Sequence, residues 1–271
     1  MKRVLTLLLL ITVLAGCQVL GGGGDDDNDD DNTNPTSQNS DAVIQWDRDP
    51  ENVVFRAEVT GGEFANTLSG QNEVPLCTIY GDNRVVWTVN ADSLSLPQVL
   101  FARVEDLAIT NFIESLTFYY RIYEYDADAV LVPLEDGVVP AVEQMTVNVN
   151  DLVHVTDAFS GWDFQFFEEI LAQCRTLSIT PTVFEPTQAW LSAELVEFDT
   201  NRPSISLPES VVDLADIVDS SEPTWIEGNS VRILWSQLRS TQPDVQFEQG
   251  ENTYQLGLQV PSVTIDSPAA P

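Results

Sequence analysis

The side chains from which chemistry could be built are few in kind: three cysteines, one histidine and 43 aspartates and glutamates in 271 residues. His154 lies in Val153-His154-Val155-Thr156, opposite in phase to the valines, and reads as a solvent-facing strand residue. Asp151 and Asp157 are near it in sequence, but no serine or cysteine nucleophile motif accompanies them. The patterns G-x-S-x-G, H-E-x-x-H, C-x-x-C, G-x-G-x-x-G and the P-loop are all absent. Glu168 and Glu169 are neighbours on a predicted helix and point about 100° apart, so they read as a solvated face. A chain this acidic produces carboxylate pairs by number alone, so acidity by itself nominates no hydrolase. The run Asp25-Asp26-Asp27-Asn28-Asp29-Asp30-Asp31 resembles a calcium loop in composition only. A loop starting at Asp25 needs Gly sixth and Glu twelfth, and those places hold Asp30 and Thr36. Weak, non-specific calcium screening is all it offers, and no metal or cofactor set is expected. Phe118 to Tyr125 is the densest aromatic cluster. Exposed rings could stack on sugars, but read as a strand it puts Tyr119, Arg121, Tyr123 and Tyr125 on one face and Phe118, Tyr120 and Ile122 on the other, core on one face and a cross-strand aromatic ladder on the other.

Cys17 has a different context. Lys2 and Arg3 open the chain, Val4 to Leu14 is an almost unbroken apolar run, and Leu14-Ala15-Gly16-Cys17 comes next. The run is too short to cross a hydrocarbon core of ~30 Å, which needs about 20 helical residues, so it reads as a signal-peptide core. The last four residues resemble the lipobox of bacterial lipoproteins. The resemblance implies cleavage after Gly16 and a diacylglycerol thioether on Cys17, the new N-terminus. Each buried CH₂ contributes roughly 0.8 kcal/mol, so two or three acyl chains hold firmly where one does not. The lipid on Cys17 is the one membrane contact expected, with the body facing the periplasm or the cell exterior.

The segment after Cys17 must hold the body off that surface. Gly21 to Gly24, the Asp run and a Thr/Asn/Pro/Ser stretch hold nothing apolar between 21 and 41, which predicts disorder. The signal peptide is thus 1–16 and the lipid-anchored Gly/Asp-rich tether 17–45. The tether spans roughly 30 Å as a coil, and more when its charges repel. The net charge is −32, and two of the 11 basic residues, Lys2 and Arg3, lie in the leader. Nine arginines and no lysine then face 43 acids. Such a surface repels phosphate, which excludes nucleic acid as a partner. Self-repulsion on this scale points to a setting whose salt, calcium or acidity relieves it.

From Trp46 onward apolar and polar residues alternate. Strands are predicted at 52–60, 76–80 and 84–89, the last two a hairpin about Gly81-Asp82-Asn83. A helix is predicted from Ser95 and Pro97 to Ile109, a second short one at 112–116, and strands at 118–125 and 129–134. A hairpin about Asn150-Asp151 joins 145–148 to 153–156. A helix at 164–174 is next, with apolar residues at 164, 167, 170 and 171. Beyond a Thr/Pro-marked connection come a strand at 189–198, a helix near 210–218, an amphipathic segment at 230–238 and a strand at 253–260. The class is α+β, mostly antiparallel sheet with a few packed helices. Two similar-sized units are expected, 46–180 and 181–266, as separate bodies or halves of one domain, with a tail at 267–271.

The string Leu76-Cys77-Thr78-Ile79-Tyr80-Gly81-Asp82-Asn83-Arg84-Val85-Val86-Trp87 is similar to a hairpin of uncharacterised bacterial lipoproteins and secreted proteins. So is Phe159-Ser160-Gly161-Trp162 leading into a helix that ends at Cys174. That resemblance, over about 100 residues, implies a similar α+β fold and an exported setting, and carries no activity. With Cys17 lipidated, Cys77 and Cys174 remain as a pair in an oxidising compartment, and a disulfide is expected between them. The functional expectation is a non-catalytic, lipid-anchored structural or binding domain whose protein or glycan partner the sequence does not name. The alternatives are a surface solute- or glycan-binding lipoprotein and, last, a carboxylate-pair hydrolase.

Overall fold

A computed structural model describes residues 44–89, 97–128, 139–220 and 222–271. The signal peptide, Cys17, nearly all of the tether, Ser95 and the strand expected at 129–134 lie outside the described residues. In chain order the elements are β1 (Val53–Gly62), β2 (Cys77–Tyr80), β3 (Arg84–Val89), β4 (Gln98–Arg103), α1 (Asp106–Glu114), β5 (Val139–Val149), β6 (Leu152–Asp157), α2 (Phe166–Arg175) and β7 (Thr182–Val183). After these come β8 (Gln188–Val196), β9 (Ser204–Ser206), α3 (Leu214–Ser220), β10 (Thr224–Glu227), α4 (Asn229–Arg239), β11 (Gln246–Gln249) and β12 (Asn252–Gln259).

The strands form an antiparallel seven-stranded sheet, β6-β5-β1-β2-β3-β4-β7, and a mixed five-stranded sheet, β10-β8-β12-β11-β9. In the second sheet only the β9–β11 pair is parallel. This is an α+β fold dominated by antiparallel sheet. Residues of β2 and β3 are buried on both faces, and they divide between two cores. Cys77, Ile79, Val85 and Trp87 join Ile109, Phe112 and Ile113 of α1 and Ile170, Leu171 and Cys174 of α2. Tyr80 and Val86 join Leu234, Trp235 and Leu238 of α4 and Leu256 and Leu258 of β12. The large sheet is therefore a middle layer, with α1 and α2 on one face and α4 and the small sheet on the other. From Ile44 to Pro271 the described chain lies in one compact unit.

Several local expectations are overturned. The helix expected to run to Ile109 is a strand, β4, followed by α1. Backbone pairing of β4 with β3, from Arg84↔Arg103 to Val89↔Gln98, outweighs the helix-start signal of Pro97, which sits just ahead of the strand. The short helix expected at 112–116 is the end of α1 running into a wide π turn, Ser115–Tyr119. The strand expected at 118–125 is absent. That segment is the π turn and a 3₁₀ turn, Ile122–Glu124, with Arg121 left-handed at φ 55°. Its rings pack sideways instead: Tyr120 and Tyr125 lie 5.7 and 5.1 Å from Phe166, and Tyr123 lies 5.0 Å from His154. Aromatic β-propensity yields to that packing, so the two faces expected of the strand do not exist. α2 begins at Phe166, leaving Phe164 94% exposed and off the apolar stripe. α3 begins four residues later than expected, at Leu214.

Candidate functional site

The hairpin that carries the resemblance is a structural lock. Asn83 (φ 66°) takes the left-handed position, where asparagine is tolerated, and its Nδ2 donates to Val104 O at 3.1 Å. Gly81 has no room for a side chain, because a Cβ there would lie 2.1 Å from Asp47 O and 2.4 Å from Asp49 O. Residues 47–52 cross over the turn, Gly81 N donates to Asn52 O at 2.9 Å, and Trp46 Nε1 donates to Gly81 O at 3.2 Å. Burial works against the Asp82 carboxylate, but hydrogen bonding and charge from Arg84, with Arg103, hold its pKa below the usual range. Arg48 grips Asp106 with two hydrogen bonds, at 2.8 and 2.7 Å. Those bonds, with one from Asn83, also lower the pKa of Asp106.

The remaining sequence candidates do not converge. Cys77 and Cys174 are disulfide-bonded, tying β2 to the last turn of α2 across 97 residues. His154 does not face solvent as expected. Its side chain is 10% exposed, Nε2 is 3.0 Å from Ile122 O, and Nδ1 is 3.8 Å from Asp126 Oδ1. Val153 is exposed instead, because β6 is an edge strand whose inner face is covered by the 122–126 segment. Asp151 occupies the exposed turn before β6 (φ 59°), whereas Asp157 is buried and accepts from Asp128 N and Phe159 N at 2.9 and 2.8 Å. Glu168 and Glu169 lie exposed in the first turn of α2, a favourable place for negative charge. Among the described residues no three His, Cys, Asp or Glu are grouped to hold a metal.

A cleft of about 550 Å³ opens between α4 and the edge formed by β4 and β7. Its geometry comes from α4. Val231, Leu234, Trp235 and Leu238 recur at helical spacing and are buried. Arg232, Ser236 and Arg239 then fall on one flank, two turns of side chains facing β7. Opposite them stand Gln98, Val183 and Phe184. The Phe184 ring meets Trp235 edge-on at 5.8 Å, and Phe184 N is tied to Val99 O at 2.9 Å. Glu185 is the acid on this wall. Arg232 is exposed, and neither it nor Arg239 has a carboxylate within ion-pair distance among the described residues.

Arg239 is the unusual member. Its guanidinium lies 4.3 Å over the Trp235 ring, Nη2 donates to Asn72 O, and Nε is shut from water without a partner. Burial pulls its pKa down to about 9, opposed by the charge of Glu73, so at neutral pH it remains a cation. Glu73 is in turn raised by burial, with Arg239 lowering it. Arg239 also lines a smaller apolar cavity of about 260 Å³ walled by Val59, Val74, Leu76 and Ile265, where the buried Thr88 Oγ1 has no partner. The sequence carried one signal for this site: two of nine arginines, seven residues apart on one amphipathic segment. Nothing in it placed Phe184, Gln98 or Thr88 opposite.

A second aromatic pair, Trp190 and Trp225, lies 5.1 Å apart with planes at 64°. Trp190 Nε1 donates to Ala269 O at 3.0 Å and Trp225 Nε1 to Glu227 at 3.0 Å, so their polar edges are spent within the chain.

No helix among the described residues is long and apolar enough to cross a membrane. No curated protein and no solved structure matches the chain. The family described as prokaryotic membrane lipoprotein lipid attachment site matches residues 1–18 and does not reach the hairpin at 76–87. That match supports a lipid-anchored, membrane-associated lipoprotein.

Proposed function

We propose that this is a non-catalytic, lipid-tethered binding protein, displayed on the extracytoplasmic side of its membrane, whose body holds a small solute in the cleft between α4 and β7. The observation that carries the reading is the lining of that cleft: two guanidinium groups, an aromatic pair and short polar side chains, all of them groups that hold a ligand. Trp235 at its floor provides the readout. Solute classes are titrated into the lipidated full chain in phosphatidylcholine nanodiscs, following melting temperature and tryptophan emission. A ligand at about 100 times its dissociation constant contributes about 2.7 kcal/mol to stability, a shift of several degrees. One class is expected to give that shift and to lose it in Phe184→Ala. Turnover of the bound solute, or no shift from any class, would overturn the reading.

A further inference from the structure

We infer that the cleft selects a small organic monoanion with an apolar or aromatic body, a carboxylate held by Arg232 and Arg239. This deepens the binding reading above and depends on it.

Charge placement is the first ground. Arg48, Arg84, Arg103, Arg121 and Arg202 are each ion-paired with an aspartate or glutamate. Among the described residues Arg56, Arg175, Arg232 and Arg239 have no carboxylate within ion-pair distance, although the charge of Glu73 reaches Arg239, and of these four Arg232 and Arg239 open on one cleft. A shielded guanidinium that is incompletely hydrogen-bonded is costly, and a carboxylate supplies the acceptor that such a fork lacks. Arg239 meets the Asn72 carbonyl and the Trp235 face and feels the charge of Glu73, while its Nε has no hydrogen-bond partner.

Shape supplies the ligand's other half. The apolar cavity behind Arg239, about 260 Å³, adjoins the same guanidinium and holds one unpaired hydroxyl, Thr88 Oγ1. A head group on the arginines thus has apolar walls on both sides, Val99 and Phe184 in the cleft and Val74 and Leu76 behind. The limit to one negative charge comes from Glu185 on the cleft wall, from Glu73 beside Arg239 in the cavity behind, and from the acidity of the whole chain. A phosphate monoester brings nearly two charges into that field, whereas a carboxylate brings one.

The test uses phenylacetate and octanoate, their uncharged amides, phenyl phosphate and maltose, titrated calorimetrically into the lipidated full chain in phosphatidylcholine nanodiscs. At least one of the two carboxylates is expected to bind about ten- to a hundredfold tighter than its amide, the worth of one charge-assisted hydrogen bond. Arg232→Gln, on an exposed position of α4, removes that preference. Arg121→Gln, the same charge change in the turn after α1, leaves the preference intact. Equal affinity for acid and amide, a preference that survives Arg232→Gln, or tighter binding of phenyl phosphate would overturn the anion assignment. Maltose binding lost in Phe184→Ala, with neither carboxylate bound, would refute the ligand class while keeping the binding function. Silence from every probe would sink both.

Discussion

At Gly81 the need for glycine comes from outside the hairpin, since the turn itself tolerates a side chain and the crossing segment of residues 47–52 does not. Gly81→Ala should lower unfolding free energy by about 2–3 kcal/mol, because both nearby atoms are backbone carbonyls that cannot swing away. Urea unfolding checks it, and an unchanged midpoint would show that residues 47–52 lift off freely. Cys17 is the residue on which location turns. Cys17→Ser removes every acyl chain, and the variant should move from the detergent-rich to the aqueous phase on cloud-point separation. Retention in the detergent phase would mean a second membrane contact.

At the scale of elements, the disulfide joins a hairpin and a helix end 97 residues apart. The chain-entropy model assigns a loop of that length about 4–5 kcal/mol, and measured values commonly fall lower. Reduction, or the Cys77→Ala/Cys174→Ala pair, should therefore lower the urea midpoint by an amount equivalent to about 2–4 kcal/mol. The elements legible most closely in the sequence are those whose signal is local: the two hairpins with their left-handed Asn83 and Asn150, and α2 and α4 with apolar residues at helical spacing. β4 and the 118–125 segment are not legible there, because their states depend on neighbours far along the chain. Val99, Leu100 and Phe101 suit either a buried strand or a helix, and only the free edge of β3 decides.

Over the whole molecule, repulsion between like charges dominates the response to solvent. Once 25–31 and 41 are set aside, 36 acids face nine arginines. Melting temperature should rise between about 10 mM and several hundred millimolar salt as the Debye length contracts from roughly 30 Å to below 8 Å. No change would mean that the acids are spaced widely enough not to repel. The pH profile has a definite sign. Burial raises the pKa of Glu58, Glu73 and Glu143 above the usual 4.5, so their charged forms oppose folding at neutral pH. That penalty is relieved as pH falls through the raised values toward 4.5. Asp82 and Asp106 lie below the usual 3.8, so their contribution is lost only beneath it. Stability should therefore climb from pH 7 to about pH 4–5 and fall below pH 3.8, read as melting temperature by circular dichroism. A maximum at pH 7 or above would contradict the raised values of the three glutamates.

Covalent order alone determined the lipid attachment site at residues 1–18, the charge, the α+β class and the hairpins. Each depends on residues within a few positions of one another, so composition and period suffice to read them. Tertiary structure alone decided that His154 turns inward, that the aromatic run at 118–125 packs against α2 and β6, and that Arg232 and Arg239 look across at Phe184. The reason is that burial and pairing belong to two surfaces at once, and the second surface is supplied by a part of the chain that sequence spacing does not identify.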